Sequence, residues 1–324
     1  MFRLAIMEIF HTPVLLQECL EFLAPEKPNA VMVDGTLGEG GHSAAFLSRF
    51  PDLTVFGIDA DAEIQKRAQQ RLSEFGNRIR FYHLWSDDFF KNNPLEQKFD
   101  IILLDLGISI FHYAASQRGF SFSNDETLDM RLNLHTKRSA ADLVASLNEK
   151  DLADMIFQYG EERYSRRIAR SIVERRSIKP IKTSKDLADV IFQTVPPKYR
   201  YGRLHPATRT FQALRIAVNG ELERLPRLLE LAFQALAAGG KLGVITFHSL
   251  EDRIVKQYFR TLSKTFLESE NMPIVDTERR YCATLVNKKA IQASEEEVTQ
   301  NPPSRSAKLR VIKRNGICSD GVVE

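Results

Sequence analysis

Short apolar runs alternate with amphipathic segments through the first third of the chain. Apolar runs at 30–34, 53–59, 79–82 and 99–105 have the length of strands, and three of them end in an aspartate. Between them, residues 62–75 place apolar side chains at intervals of four, which predicts an amphipathic helix. The run at 99–105 is apolar on both faces, as is typical of a buried parallel strand. This alternation predicts an α/β domain.

From about residue 125 to residue 200 the pattern changes to consecutive helices without strands. Leu152, Met155 and Ile156 have the spacing of one helix face. Thr183 followed by Asp186 resembles a capping box that opens a further helix. We therefore expect a helical segment inserted into the α/β domain.

The α/β pattern resumes after the helical segment. A helix at 226–238 is expected to stop at a Gly-Gly pair, followed by a strand at 241–247 and a helix at 251–262. Two late strands, near 281–286 and 307–312, are expected to form a hairpin, with a polar and irregular segment between them. The simplest architecture is one α/β domain split by an insertion.

Composition adds limits on the class of protein. Hydrophobic residues make up 43% and charged residues 27% of the chain, which is typical of a folded domain and not of a disordered one. The formal net charge of +3 is too small to indicate a nucleic-acid partner, so local clusters of charge must decide that question. Cys19, Cys282 and Cys318 form no CxxC motif, which predicts neither a disulfide framework nor a zinc site. No apolar run approaches the roughly 20 residues that span a bilayer, and no signal-peptide pattern is present, so we expect a cytoplasmic protein without membrane contact.

The strongest local motif is the loop Asp34-Gly-Thr-Leu-Gly-Glu-Gly-Gly-His42, which follows a predicted strand and leads into a predicted helix. Gly38, Gly40 and Gly41 would let the backbone approach a ligand closely. Asp59 ends the next strand, where an acid commonly accepts hydrogen bonds from ribose hydroxyls. The alternative is that the loop is only a tight turn between strand and helix.

The glycine spacing differs from the GxGxxG of dinucleotide-binding enzymes. An adenosine ligand without phosphates is therefore favoured, and S-adenosylmethionine is one. Its sulfonium is cationic, so Asp34 and Asp105 would suit it. The alternative for Asp105 is a structural role as the cap of the following helix.

Basic residues cluster within and after the helical segment. They comprise Arg163, Arg166, Arg167, Arg170, Arg175 and Arg176, followed by Lys198, Arg200, Arg203 and Arg209. Tyr199, Tyr201 and His205 lie among the second group, where aromatic rings could stack on nucleic-acid bases. The alternative, especially for the first group, is a solvated helix face.

The motifs, taken in order, resemble the bacterial 16S rRNA cytosine-N4 methyltransferases of the MraW type. The resemblance runs nearly end to end. It is carried by residues 11–16 (HTPVLL), 34–42 (DGTLGEGGH), 105–109 (DLGIS), 118–122 (RGFSF), 128–131 (LDMR), 159–162 (YGEE), 205–216 (HPATRTFQALRI), 247–253 (FHSLEDR) and 301–310. Each match is weak alone, but the ordered set is specific.

The resemblance implies a class I, Rossmann-like methyltransferase domain with a mixed seven-stranded sheet, interrupted by an all-helical insertion domain. We assign 1–112 and 206–316 to the methyltransferase domain, 113–205 to an RNA-recognition insertion and 317–324 to a tail. The implied activity is S-adenosylmethionine-dependent methylation of N4 of a cytosine in the decoding region of 16S rRNA, within the small ribosomal subunit. No metal is implied, and a homodimer is conceivable.

The resemblance also implies a set of cofactor contacts. By the motif match these are Gly40, Gly41, His42, Asp59 and Asp105, to which the loop pattern adds Gly38. An aromatic contact after the third strand maps to Trp85. Where the family continues Gly-Val-Ser-Ser-Pro-Gln, this chain reads Gly107-Ile-Ser-Ile-Phe-His112, so His112 replaces a glutamine that is expected to touch the cofactor. An imidazole can replace one hydrogen bond of an amide but not both.

For the chemistry, Asp105 is the candidate acceptor for the cytosine amine, and His248 is a second candidate catalytic residue. Glu251 and Asp252 are expected to cap the helix that follows. No cysteine lies at the end of the 99–105 strand, which argues against the covalent route of cytosine-C5 enzymes. The candidate RNA contacts are Arg163, Arg167, Arg170, Arg200, Arg203 and Arg209. Two alternatives remain: a methyltransferase for another RNA or DNA base, and a non-catalytic adenosine-binding assembly factor.

Overall fold

The computed structural model describes residues 12–92, 97–263 and 282–316. Its strands are β1 (Val31–Asp34), β2 (Thr54–Asp59), β3 (Ile79–His83), β4 (Phe99–Asp105), β5 (Leu236–Thr246), β6 (Ala283–Leu285), β7 (Ile291–Gln292) and β8 (Lys308–Arg314). Its α-helices are α1 (Leu16–Phe22), α2 (Gly41–Arg49), α3 (Ala62–Arg71), α4 (Ser86–Asn92), α5 (Ile110–Ala114), α6 (Ala140–Ser146), α7 (Glu149–Gly160), α8 (Ser165–Ile178), α9 (Ser184–Thr194), α10 (Pro197–Arg200), α11 (Thr208–Asn219), α12 (Glu221–Ala235), α13 (Ser249–Ser263) and α14 (Glu295–Gln300).

The strands form one mixed sheet in the order β3-β2-β1-β4-β5-β8-β6, and β7 also pairs with β8. The first five strands in this order are parallel, while β8 runs antiparallel to β5, β6 and β7. The predicted Rossmann-like α/β class is confirmed. The described residues hold eight strands instead of seven, because the two-residue β7 is too short to leave an alternating pattern in the sequence.

Both faces of the sheet are buried, and β4 shows how the sequence achieves this. Ile101 and Leu103 belong to one hydrophobic cluster, and Ile102 and Leu104 belong to the other. Each of the four side chains is at most 1% exposed. Alternate residues of a strand point to opposite faces, so a strand covered on both sides needs apolar residues throughout. The aspartate at its end, Asp105, is thereby left at the edge where the parallel strands finish.

Several element bounds differ from the prediction. Helix α12 begins before Pro226, whose missing N–H costs little near a helix start. It ends at Ala235 because β5 begins at Leu236, earlier than predicted. Gly239, within β5, has a φ of +79° and lies next to an irregularity in the pairing of β5 with β4. The segment between the two late strands is not irregular, since it contains β7, α14 and a 3-10 turn at Pro302–Ser306. Residue 281, where the first late strand was expected to begin, lies outside the described residues.

The chain divides into two compact units, 1–108 with 224–324, and 109–223. The predicted domain boundaries, after 112 and after 205, both fall inside the second unit. Within that unit α11 packs on α7, and the Gln212 amide donates to the carbonyl of Tyr159 at 3.1 Å. Asn219 also bonds the backbone of Met130 and Leu132 at 2.8 Å each. The assignment of functions to the predicted domains stays a prediction.

The second unit is helical, as predicted. The apolar stripes of α7, α8 and α9 are buried, with Ile156, Ile172 and Ile191 fully inaccessible. Thr183 caps α9 by accepting a hydrogen bond from the N–H of Asp186. No helix in the described ranges is long and apolar enough to cross a membrane.

Candidate functional site

The glycine-rich loop joins β1 to α2 and is held against the ends of two neighbouring strands. The N–H of Gly35 donates to the carbonyl of Leu103 at 2.9 Å, and the N–H of Leu37 donates to that of Ile58 at 2.9 Å. Gly40 has a φ of +76°, and a Cβ there would lie 2.7 Å from a methyl of Leu72. The glycine is therefore required both by the backbone conformation and by close packing on α3.

Asp59 holds the loop in place from the end of β2. Its carboxylate accepts hydrogen bonds from the N–H groups of Gly38 and Asp61, both at 2.8 Å. Each carboxylate oxygen has a second lone pair, so Asp59 retains acceptor capacity for a ligand hydroxyl. Gly38 and Asp59, each predicted to contact the cofactor, thus contact one another, which the sequence did not predict.

Two carboxyl groups lie at the ends of the neighbouring strands β1 and β4. Asp34 is 2% exposed, and burial raises its pKa to about 6, although the hydroxyl of Ser43 donates to it at 2.6 Å. Burial, followed by the negative charge of Asp34, raises the pKa of Asp105 to about 8. Asp105 keeps 22% of its side chain exposed, so a ligand can reach it. Buried acids with raised pKa values favour a cationic ligand, because a positive charge stabilises their ionised forms.

The surroundings of Asp105 show what such a ligand would meet. Its Oδ1 is buried and has no hydrogen-bond partner among the described residues, while its Oδ2 lies 3.8 Å from Nδ1 of His42. The other ring nitrogen of His42 is 3.0 Å from the carbonyl of Val14, which can only accept. That bond places the proton of a neutral imidazole on Nε2, so Nδ1 is an acceptor. Oδ1 of Asp105 thus offers an acceptor to an amine or another cationic group.

Asp105 does not cap the following helix. That helix, α5, is capped by Ser109, whose hydroxyl accepts from the N–H of Phe111 at 3.1 Å. The backbone N–H of Asp105 donates instead to the hydroxyl of Thr36 in the glycine-rich loop, at 2.5 Å. The alternative that Asp105 caps the following helix is therefore wrong.

His248 follows β5 and lies against Glu251 at the start of α13. Glu251 is 2% exposed and accepts from the N–H groups of Phe247 at 2.9 Å and of His248 at 3.3 Å. This is the predicted cap of α13. The second oxygen of Glu251 lies 3.0 Å from Nε2 of His248 without the geometry of a hydrogen bond, and Nδ1 of His248 accepts from the N–H of Glu251 at 3.4 Å. Asp252 is not a cap, because its carboxylate pairs with Arg310 at 2.8 Å.

Trp85 follows β3, and its carbonyl accepts from the N–H of Phe89 at the start of α4. The ring is half-buried and is covered by the guanidinium of Arg224 at 4.7 Å. Sequence reasoning missed Arg224, Ser43 and Thr36. The last two lie in or beside the glycine-rich motif, which was the available signal, whereas no pattern links Arg224 to a tryptophan so distant in the sequence.

His112, the predicted substitute for a family glutamine, belongs to the second unit. It is 4% exposed, and its ring packs against those of Phe111 at 5.7 Å and Phe120 at 5.2 Å. Its contact with a cofactor stays a prediction.

The candidate RNA-binding arginines, all in the second unit, differ in how their guanidinium groups are engaged. Arg163 stacks over the rings of Tyr164 at 4.9 Å and Tyr199 at 4.8 Å. Arg209 donates to the carbonyl of Glu161 at 2.7 Å, and Arg170 lies 3.5 Å from Glu149.

Three further arginines complete the comparison. Arg200 donates to the carbonyls of Val195 and Gln193 at the end of α9, which is a structural role. Arg167 and Arg203 are exposed. Arg200, which is half-buried, therefore helps to hold the unit together, whereas the other five are exposed to solvent.

The sequence matches known proteins over nearly its whole length. The model of the MraW methylase family matches residues 8–315. A protein named ribosomal RNA small subunit methyltransferase H from Treponema denticola is 61% identical over 309 residues, covering 95% of this chain and 98% of that protein. Proteins of the same name from Borrelia turicatae and Treponema pallidum are 46% and 42% identical, each over 94% of this chain and over 98% and 92% of their own.

A solved structure, an rRNA methylase from Streptococcus thermophilus, covers 93% of both chains at 12% identity, but its TM-score of 0.38 is too low to support an argument. The range that the family model matches includes the glycine-rich loop and the acidic strand ends described above. The chain belongs to the MraW methylase family.

Proposed function

We propose that the protein transfers a methyl group from S-adenosylmethionine to N4 of a cytosine in the decoding region of 16S rRNA. The observation that carries this proposal is the pair of buried acids, Asp34 and Asp105, beside the glycine-rich loop of a MraW-family chain. The relatives at 42–61% identity bear the name of a small-subunit rRNA methyltransferase. That name supports rRNA as the substrate.

The residues present fit the cofactor. S-adenosylmethionine supplies an activated methyl group on a cationic sulfur. Asp59 would accept from the ribose hydroxyls, and Gly38, Gly40 and Gly41 would let the backbone approach the ligand. The cationic end would lie near Asp105, whose Oδ1 lacks a partner among the described residues. His42 and Trp85 would complete the contacts, and His112 stays a candidate.

The cytosine amine is a weak nucleophile because its lone pair is delocalised into the ring. The enzyme must therefore fix the amine in line with the methyl group, which is a matter of proximity and orientation. As the N–C bond forms and the C–S bond breaks, the electron pair of that bond stays on sulfur and the amine nitrogen must lose a proton. Ionised Asp105 would accept this proton. His248, which lies against Glu251, would help to hold the base.

The second unit supplies a surface for RNA. Arg167 and Arg203 are exposed and would bind phosphates, together with Arg163, Arg170 and Arg209. The ring of Tyr201 is 80% exposed and packs edge-on against Phe192, so one face could stack on a base. Arg200 would contribute mainly by holding this surface together.

The test is transfer of a tritiated methyl group onto small ribosomal subunits and onto free 16S rRNA, followed by nucleoside analysis. We expect N4-methylcytidine as the labelled product. A different labelled base would favour the alternative of another RNA or DNA substrate. If the protein binds S-adenosylmethionine tightly but transfers no label to the subunits, the result would favour a non-catalytic assembly factor.

A protein that methylates ribosomal subunits would act in the cytoplasm. A homodimer stays a prediction, which sedimentation of the purified protein would test.

A further inference from the structure

Trp85 is the only tryptophan in the chain, and its ring is fixed by a charged cluster. The guanidinium carbon of Arg224 lies 4.7 Å from the ring centroid. An arginine over an indole face is attracted by the ring quadrupole and can stack in parallel, because the guanidinium is planar. One face of the half-buried indole is thereby occupied by protein.

The position of Arg224 is itself determined by two carboxylates of the first turn of α4. Its Nη1 lies 2.7 Å from Asp87, whose side chain is only 3% exposed, and 3.6 Å from Asp88. Asp87 comes two residues after Trp85, so the carboxylate and the ring are held by the same short segment. Arg227, one turn further along α12, binds the same pair at 3.5 Å and 3.1 Å.

Arg224 does more in this cluster than balance the charge of the two aspartates. Two arginines neutralise two aspartates, and both bind both carboxylates, yet only Arg224 is stacked on Trp85 among the described residues. The two arginines share the ion pairs, but Arg224 hydrogen-bonds Asp87 at 2.7 Å, Arg227 hydrogen-bonds Asp88 at 3.1 Å, and only Arg224 contacts the ring among the described residues. Comparison with Arg227, together with Arg224→Lys, which keeps a cation for Asp87, separates an effect on the ring from an effect on the stability of the cluster.

We propose that Arg224 is a positioning residue, which holds the indole of Trp85 in the orientation that the adenine of S-adenosylmethionine stacks against. The inference rests on the proposed cofactor site, in which Trp85 is the aromatic contact. Arg224 does not touch the cofactor in this account. Without its guanidinium, the indole samples other rotamers, and binding must restrict them at a cost in affinity.

The experiment uses the intrinsic fluorescence of Trp85, with S-adenosylhomocysteine as the probe. In Arg224→Met we expect the dissociation constant of the probe and the KM for S-adenosylmethionine to rise about threefold to tenfold, with kcat within about twofold. Acrylamide should also quench Trp85 more strongly in the free protein. Arg224→Lys, which keeps the charge and loses the planar group, should lie between this variant and the parent.

Arg227→Met is the matched control, because it removes ion pairs to the same carboxylates and leaves the ring contact. Its probe affinity and its Trp85 quenching should change by less than about twofold. Equal effects of Arg224→Met and Arg227→Met would overturn the inference, as would an unchanged probe affinity in Arg224→Met.

Trp85→Ala separates this inference from the proposed function, with the probe followed by calorimetry. Unchanged affinity in Trp85→Ala would remove Trp85 from the cofactor site and the inference with it. Loss of affinity in Trp85→Ala combined with no effect of Arg224→Met would reject only the role of Arg224.

Discussion

The two units use charge in opposite ways. In the first unit, Asp34 and Asp105 are acids whose pKa values are raised by burial, and no cationic side chain neutralises them within hydrogen-bond distance among the described residues. In the second unit the charges are arginines, several of which are satisfied by carbonyls, carboxylates or aromatic rings. An unneutralised buried acid costs free energy and suggests a cationic ligand, whereas an arginine cluster includes structural members that only the contacts reveal.

The largest effect is expected from Asp105→Asn. The amide keeps the shape of the side chain but cannot take up the amine proton, so methyl transfer should fall about 100-fold or more. S-adenosylhomocysteine binding should change much less, because that ligand carries no sulfonium charge. Single-turnover methyl transfer and calorimetry would measure the two effects.

Asp100→Asn is the control on the same strand. Asp100 lies at the other end of β4, where it pairs with Lys27 at 2.7 Å. Its substitution should leave the rate of transfer within about twofold. Comparable losses in both variants would show that a carboxylate anywhere on β4 matters only for folding.

A smaller effect is expected in the second unit from Arg167→Ala combined with Arg203→Ala. Binding to small subunits should weaken about tenfold, and the slope of log affinity against log salt should fall by about one per lost phosphate contact. The affinity for S-adenosylhomocysteine should stay the same. Lys150→Ala is a control that removes one surface charge from the same unit, where Lys150 is already paired with Asp154 at 3.0 Å. An unchanged salt slope in the double variant would remove these arginines from the RNA surface.

The smallest effect on RNA binding is expected from Arg200→Ala, which instead acts on stability. Loss of the bonds to the carbonyls of Val195 and Gln193 should lower the free energy of unfolding by about 1–2 kcal/mol. Arg203→Ala should change it by less than about 0.5 kcal/mol. Urea unfolding of the two variants would test the contrast, and equal stability would contradict the structural role of Arg200.

The sequence predicted those features that depend on local periodicity and on the position of strand ends. The apolar run at 99–105 became β4 with its predicted bounds, and Asp34, Asp59 and Asp105 all lie at ends of parallel strands. Local pattern could not show contacts between distant segments. The bond from Gly38 to Asp59 and the stacking of Arg224 on Trp85 depend on tertiary packing.

The arginines also show that local pattern does not predict which contacts a side chain makes. In the sequence Arg200 and Arg203 look alike, because both lie in one loop among tyrosines. The structure separates them through the carbonyls at the end of α9, which carry no signal in residue type. The two-residue strand β7 was not predicted, because it is defined by its pairing with β8 and not by a local pattern.

The most direct test of the acidic cofactor site compares S-adenosylmethionine with S-adenosylhomocysteine as pH changes. Because the pKa of Asp105 is raised to about 8, its carboxyl is largely neutral at pH 6.5 and ionises as the pH rises towards about 8.5. A sulfonium favours the ionised form and the neutral thioether does not, so the preference for S-adenosylmethionine should increase with pH, by about fivefold to tenfold.

Asp105→Asn should abolish this increase, because it has no carboxyl at this position to titrate. Calorimetric titrations of both ligands with the parent protein and with Asp105→Asn would measure it. A preference that grows with pH in the parent and is flat in the variant is the predicted result. A preference that is independent of pH in the parent, or that grows equally in Asp105→Asn, would contradict the account.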